Sequence, residues 1–111
     1  TKPIIVLCNQ NSYSNAEIFS HAIKTLGRGK VVGVPTRGAV ISTGSKGLID
    51  GSSMRYPFRG WFVADGDKLG KNQENGPAIP DIIVEITPED EISGNDPQLD
   101  AAIKSLLRDV K

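Results

Sequence analysis

Cysteine and histidine are almost missing from this chain, with one of each, Cys8 and His21, in 111 residues. A lone cysteine cannot close an internal disulfide, and one histidine without a cysteine nearby excludes most zinc arrangements. An excess of charge is missing too. Thirteen Lys and Arg offset thirteen Asp and Glu, so neither a basic stripe for nucleic acid nor an acidic tail is present. No apolar run nears the ~20 residues that a membrane-spanning helix needs. Internal repeats and low-complexity tracts are absent as well. What is there, 38% apolar and 23% charged residues, suits one globular domain. The chain lacks a starting Met and has only a few residues before an apolar strand, which reads as a piece of a longer protein.

The chain is organised around residues 3–38. Ile4-Ile5-Val6-Leu7-Cys8 is short, apolar and β-branched, the pattern of a strand buried on both faces. A polar elbow follows at 9–14. A helix then places Ile18, Ala22, Ile23 and Leu26 on one face, with Gly27 and Gly29 to stop it. Lys30-Val31-Val32-Gly33-Val34 is a second buried strand. In such strand–helix–strand units sites gather at the carboxyl ends of the strands, which directs attention to residues 12–17.

Two readings compete for Ser14. Ser14-Asn15-Ala16-Glu17 fits a capping box, in which the serine oxygen accepts from the third helical N–H and Glu17 reaches back. Alternatively, a serine at a strand-to-helix elbow lies beside free N–H groups that suit an oxyanion. A serine nucleophile needs a base. His21 is seven residues further along the same helix, roughly 10 Å along the axis, and is expected to pack or face solvent. No base for Ser14 is visible in this unit.

Downstream, Pro35-Thr36-Arg37-Gly38 marks a turn and residues 39–43 a third strand. Gly44-Ser45-Lys46-Gly47 lacks the spacing of a phosphate loop and no helix follows it. Gly27-Arg28-Gly29 precedes a strand, the wrong order for a dinucleotide site. Residues 48–56 read as a hairpin turning at Asp50-Gly51, and residues 61–63 as a short strand turned by Asp65-Gly66. Residues 68–80 form a long loop with Glu74 in its middle. A late strand at 82–86 ends at Thr87-Pro88. Asp96-Pro97 starts a final helix whose apolar face is Leu99, Ala102, Ile103, Leu106 and Val110. The expected class is α/β.

These motifs, taken in order, resemble the catalytic C-terminal region of the tail-specific, or carboxyl-terminal processing, serine peptidases and their tricorn relatives. The resemblance rests on Ser14-x-x-Glu17-Ile18-Phe19, Val31-Val32-Gly33-x-Pro35-Thr36-x-Gly38, Gly60-Trp61, Pro80-Asp81-Ile82 and Asp96-Pro97-Gln98-Leu99. It implies a ClpP/crotonase-like fold, present in part, with a mixed sheet and flanking helices. Residues 1–111 would then be the nucleophile-bearing C-terminal part of a peptidase catalytic domain. It also implies Ser14 as nucleophile and the Asn15 N–H as an oxyanion donor, the second donor coming from a glycine upstream. In the Ser–Lys branch a lysine follows the glycine matching Gly38; here Ala39 stands there. The tricorn branch uses a distant histidine, a second serine and a late glutamate, and Glu74-Asn75-Gly76 ahead of Pro80-Asp81 resembles the segment of that glutamate.

The resemblance implies no cofactor and no metal. The partners expected are a peptide or unfolded-protein substrate and the remainder of the same catalytic domain, with no nucleic acid; a homo-oligomer is left open. The isolated chain is expected to have little or no activity, and its compartment stays undetermined. Two other readings keep the fold: a non-catalytic scaffold in which Ser14 only caps a helix, and a crotonase-like acyl-thioester enzyme.

Overall fold

Two short β-branched runs build the sheet. In a computed structural model, which describes residues 2–63 and 76–110, β1 (Ile5–Cys8) and β2 (Lys30–Gly33) lie parallel in the register Ile5↔Lys30 to Cys8↔Gly33. A parallel pair cannot be joined by a tight turn, and the connection is α1 (Asn15–Thr25). The far edge of β2 takes β5 (Ile82–Ile83), again parallel, so the order is β1-β2-β5 and β2 is central. Its valines form the middle of the core: Val31 is 2% exposed and Val32 fully buried. Asp81 closes this edge. Its N–H donates to the Val31 carbonyl (2.8 Å), its Oδ2 accepts from the Val31 N–H (2.9 Å) and its Oδ1 pairs with Lys24 Nζ at 3.3 Å.

Between β2 and β5 the chain leaves the core as an antiparallel ribbon, β3 (Ile41–Gly47) and β4 (Ser53–Gly60). Asp50-Gly51 turns it as the sequence predicts, with Asp50 Oδ1 accepting from the Ser52 N–H (3.0 Å) and hydroxyl (2.6 Å). The ribbon pairs with no other strand among the described residues. The radius of gyration, 17.2 Å, exceeds the ~13 Å of a compact chain this long.

Five expectations are corrected. Among the described residues the parallel and antiparallel strands stand in two sheets, three parallel strands and a separate ribbon, and not in one mixed sheet. β1 is an edge strand with Leu7 44% exposed, so it is not covered on both faces. Residues 44–47 continue the expected third strand without a break, and of the expected strand at 61–63 only Phe62 is paired among the described residues. The late strand pairs only over Ile82–Ile83. Beyond it an unexpected short helix, α2 (Pro88–Ser93), is capped by Thr87, whose hydroxyl accepts from the Asp90 N–H (3.2 Å). The Asp65-Gly66 turn lies outside the described residues.

α3 (Pro97–Asp109), capped by Asp96 as expected, packs on β1 and β2. Its buried residues are Gln98, Ala102 and Ser105, and the expected Leu99, Ile103 and Val110 are exposed. Small side chains let the helix backbone approach the sheet closely, and the bulkier stripe faces outward.

Two predictions follow from the β1–β2 contact. Gly33 has φ +135°, and a Cβ there would sit 1.8 Å from the Cys8 carbonyl oxygen, which itself accepts the Val34 N–H at 3.2 Å. Gly33→Ala should cost about 3 kcal/mol or more in urea unfolding. Cys8 is buried, its Sγ–H donates to the Val34 carbonyl (3.4 Å), and burial pushes its thiol up. The unfolded thiol ionises near ~8.5, so above that pH the unfolded state is favoured until the folded thiol also ionises. Melting curves should therefore show stability falling across that alkaline window in the wild type, and a shallower fall in Cys8→Val.

Candidate active site

The elbow after β1 begins with local hydrogen bonds that only short polar side chains can make. Asn9 Oδ1 accepts from the Asn11 N–H (3.0 Å), Ser12 Oγ from the Asn9 N–H (3.1 Å), and the Asn9 carbonyl from the Ser12 N–H (2.9 Å). Two residues on stands Ser14 with φ 55° and ψ −120°, the only non-glycine residue with positive φ among those described. Such a conformation costs on the order of 1–3 kcal/mol and persists only where its surroundings over-determine it. A serine on a strained turn from strand to helix has its Oγ lifted clear of the backbone, as a nucleophile requires.

Glu17 supplies that over-determination. It is fully buried, and four donors converge on its carboxylate. Oε2 accepts from the N–H groups of Ser14 (2.9 Å) and Ala39 (2.8 Å); Oε1 accepts from the Gly38 N–H (2.6 Å) and the Thr36 hydroxyl (2.6 Å). Thr36 is buried too. Its Oγ1 accepts from the Ala78 N–H (2.8 Å), and its own N–H donates to the Ala78 carbonyl (3.2 Å). The Arg37 N–H reaches the Ser12 carbonyl (3.0 Å). Residues 36–39 thus wrap the elbow, and the backbone of residue 39 lies beside that of Ser14 at one shared oxygen.

Both arms of the expected capping box are in place, the Ser14 side chain toward the Glu17 N–H and Glu17 back to the Ser14 N–H, but only the Glu17 arm closes a hydrogen bond. The Asn15 N–H, at the start of α1, has no acceptor among the described residues. A half-buried serine hydroxyl and a free amide therefore stand next to each other at the positive end of a helix. His21 is half-buried and its Nε2 lies 3.2 Å from Thr25 Oγ1, away from Ser14 as its spacing predicts. Glu74 lies outside the described residues. The segment after it is described from Gly76, and Gly76, Ala78 and Pro80 are buried.

The sequence singles out Ser14 and Asn15 as candidates, assigns Glu17 only the back-reaching half of a cap, and gives Thr36 no role. The available signal was a T-x-G turn following a buried strand and a Glu in the first turn of a helix. Neither pattern distinguishes an exposed carboxylate from a buried one.

A serine at a strained elbow, with a free amide beside it, has the arrangement that acyl-transfer nucleophiles use. Residues 1–84 match the model of peptidase family S41, and the chain belongs to that family. It is similar to the tricorn protease of Thermoplasma acidophilum, 38% identical over 110 residues, a match that covers 97% of this chain and 10% of that protein. Tricorn protease homolog 1 of Streptomyces coelicolor is 39% identical over 106 residues, covering 95% and 10%. The crystal structure of the tricorn protease superposes with a TM-score of 0.86 at 36% identity, over 96% of this chain and 10% of the other. The chain thus spans about 10% of the length of these relatives.

The strain at Ser14 and its unused hydroxyl generate a prediction. Ser14→Ala keeps the strain and removes no closed capping hydrogen bond, so the free energy of urea unfolding should change by less than about 0.5 kcal/mol. Ser14→Gly relieves the strain and should gain about 1 kcal/mol. A loss of about 1 kcal/mol in Ser14→Ala would return the hydroxyl to a helix cap.

Proposed function

We propose that this chain is the nucleophile-bearing C-terminal part of a serine peptidase catalytic domain, tricorn-like in its relay and ClpP/crotonase-like in fold. The observation that carries the reading is the strained Ser14 with its uncommitted hydroxyl beside the free Asn15 N–H. Ser14 Oγ attacks the carbonyl carbon of a peptide bond while its proton passes to a histidine supplied from outside this chain. The Asn15 N–H holds the oxyanion. The C–N bond then breaks, the amine leaves with that proton, and water hydrolyses the acyl-enzyme to a carboxylic acid and free Ser14. Glu74 orients the histidine through a second serine. Ala39 at the site of the Ser–Lys lysine favours this relay, since a methyl side chain beside Ser14 offers no base.

The surface supports a larger domain. β1 leaves one edge unpaired among the described residues. Leu26, Ile103 and Leu107 are exposed on the two long helices. An apolar cleft of about 300 Å³ opens between α1 and the 61–63 segment, lined by Ile18, Ala22, Val40, Trp61 and Phe62. The remainder of the catalytic domain covers these faces and brings the histidine and the second oxyanion donor.

A fluorophosphonate probe tests the reading on the protein with its whole catalytic domain. The wild type should be labelled and Ser14→Ala should not, while the 111-residue chain by itself should hydrolyse peptide esters negligibly. A folded wild type that takes no label would favour the scaffold role, with Ser14 a helix-start residue only.

A further inference from the structure

We infer that Glu17 and Thr36 act together as positioning residues, coupling the Ser14 elbow to the segment at 76–80; the inference rests on the peptidase reading above. The polarity of the hydrogen bonds fixes the connection. The Ala78 N–H can only donate, so it takes a lone pair of Thr36 Oγ1 (2.8 Å), and the Thr36 proton goes to Glu17 Oε1 (2.6 Å). The other Glu17 oxygen holds the Ser14 N–H (2.9 Å). Four groups in series therefore join the segment that follows Glu74 to the backbone of the nucleophile. Every member is a buried or half-buried polar group with its bonds satisfied, an arrangement that tolerates little drift.

What the connection controls is the Ser14–Asn15 peptide. Ser14 ψ, −120°, decides where the Asn15 N–H points relative to Ser14 Oγ. Attack needs both aimed at one carbonyl group, the oxygen at the amide and the carbon at Oγ. Held by its N–H at one end and by helix α1 at the other, Ser14 keeps the strained ψ that brings the two together. Released from Glu17, it can relax, and hydroxyl and amide then diverge. Glu17 and Thr36 touch no reacting atom and act through Ser14.

The test is kinetic, on the protein with its whole catalytic domain, with kcat expressed per site titrated by a fluorophosphonate. Glu17→Gln puts an NH2 group against N–H donors, and kcat should fall about 10- to 100-fold with KM within about twofold. Thr36→Val, isosteric but without the hydroxyl, should lower kcat in the same way. Thr36→Ser restores the hydroxyl and should recover most of that loss. The double variant should be no slower than the slower single one, because both changes cut one connection. Should Glu17→Gln not fold, Thr36→Val against Thr36→Ser decides. Folded Glu17→Gln and Thr36→Val proteins with wild-type kcat, or fully multiplicative losses, would overturn the coupling while leaving Ser14 as nucleophile. Hydrolysis surviving in Ser14→Ala would instead overturn the peptidase reading, and this inference with it.

Discussion

The buried carboxylate of Glu17 is the constraint on which the rest of the site depends. A carboxylate moved out of water without partners is costly, and removing one member of a satisfied buried cluster strands the others. Here four donors from two stretches of chain, the elbow and the 36–39 turn, meet on two oxygens, and the 76–80 segment joins them through Thr36. The cluster forms only if the elbow, the 36–39 turn and the 76–80 segment are docked at once. It therefore specifies a single arrangement of loops that are far apart in sequence, and it does so at the one place among the described residues where a non-glycine backbone is strained.

The hydrophobic core by itself would specify less. Its buried members are mostly valines and alanines, running from β2 to Val34, Val40 and Ala78 beside residues 36–39, enough to order the sheet β1-β2-β5. Many larger apolar side chains are exposed, on the outer stripe of α3 and at the end of α1. Burial of apolar surface is non-directional; it brings the layers together without deciding the dihedral angles of a loop. The polar cluster supplies direction where the small core cannot.

How much of this was legible in the sequence follows from the same division. β1, α1, β2, the Asp50-Gly51 turn and α3 were readable because periodicity, glycine stops and caps are local signals. Part of the α3 face was misjudged because a pattern of apolar residues shows which side could be buried, not which side is. In α3 the sheet took the small residues Ala102 and Ser105 and left Leu99 and Ile103 outside. The late strand shortened because pairing depends on β2, whose own length ends at Gly33. Ser14 could be singled out from an elbow signature and Asn15 from the family resemblance. Glu17 and Thr36 could not, since their partners lie between 3 and 42 residues away and nothing in local pattern reports a bond of that span.

The capping-box pattern at residues 14–17 shows how one motif can serve two ends. In an ordinary helix start, serine and glutamate each satisfy a donor of the other, and both side chains are committed. Here Glu17 turns its second oxygen and its remaining lone pairs to Thr36, Gly38 and Ala39, and Ser14, at a positive φ, faces the Glu17 N–H without closing a hydrogen bond to it. The helix start keeps one of its two capping bonds and the backbone strain is held by the other. A hydroxyl that closes no capping bond and an amide left without an acceptor are unfavourable features of a helix end. They persist because Glu17 holds the backbone in place from within the core. The same bond that completes the helix start thereby fixes the serine in the geometry of a nucleophile.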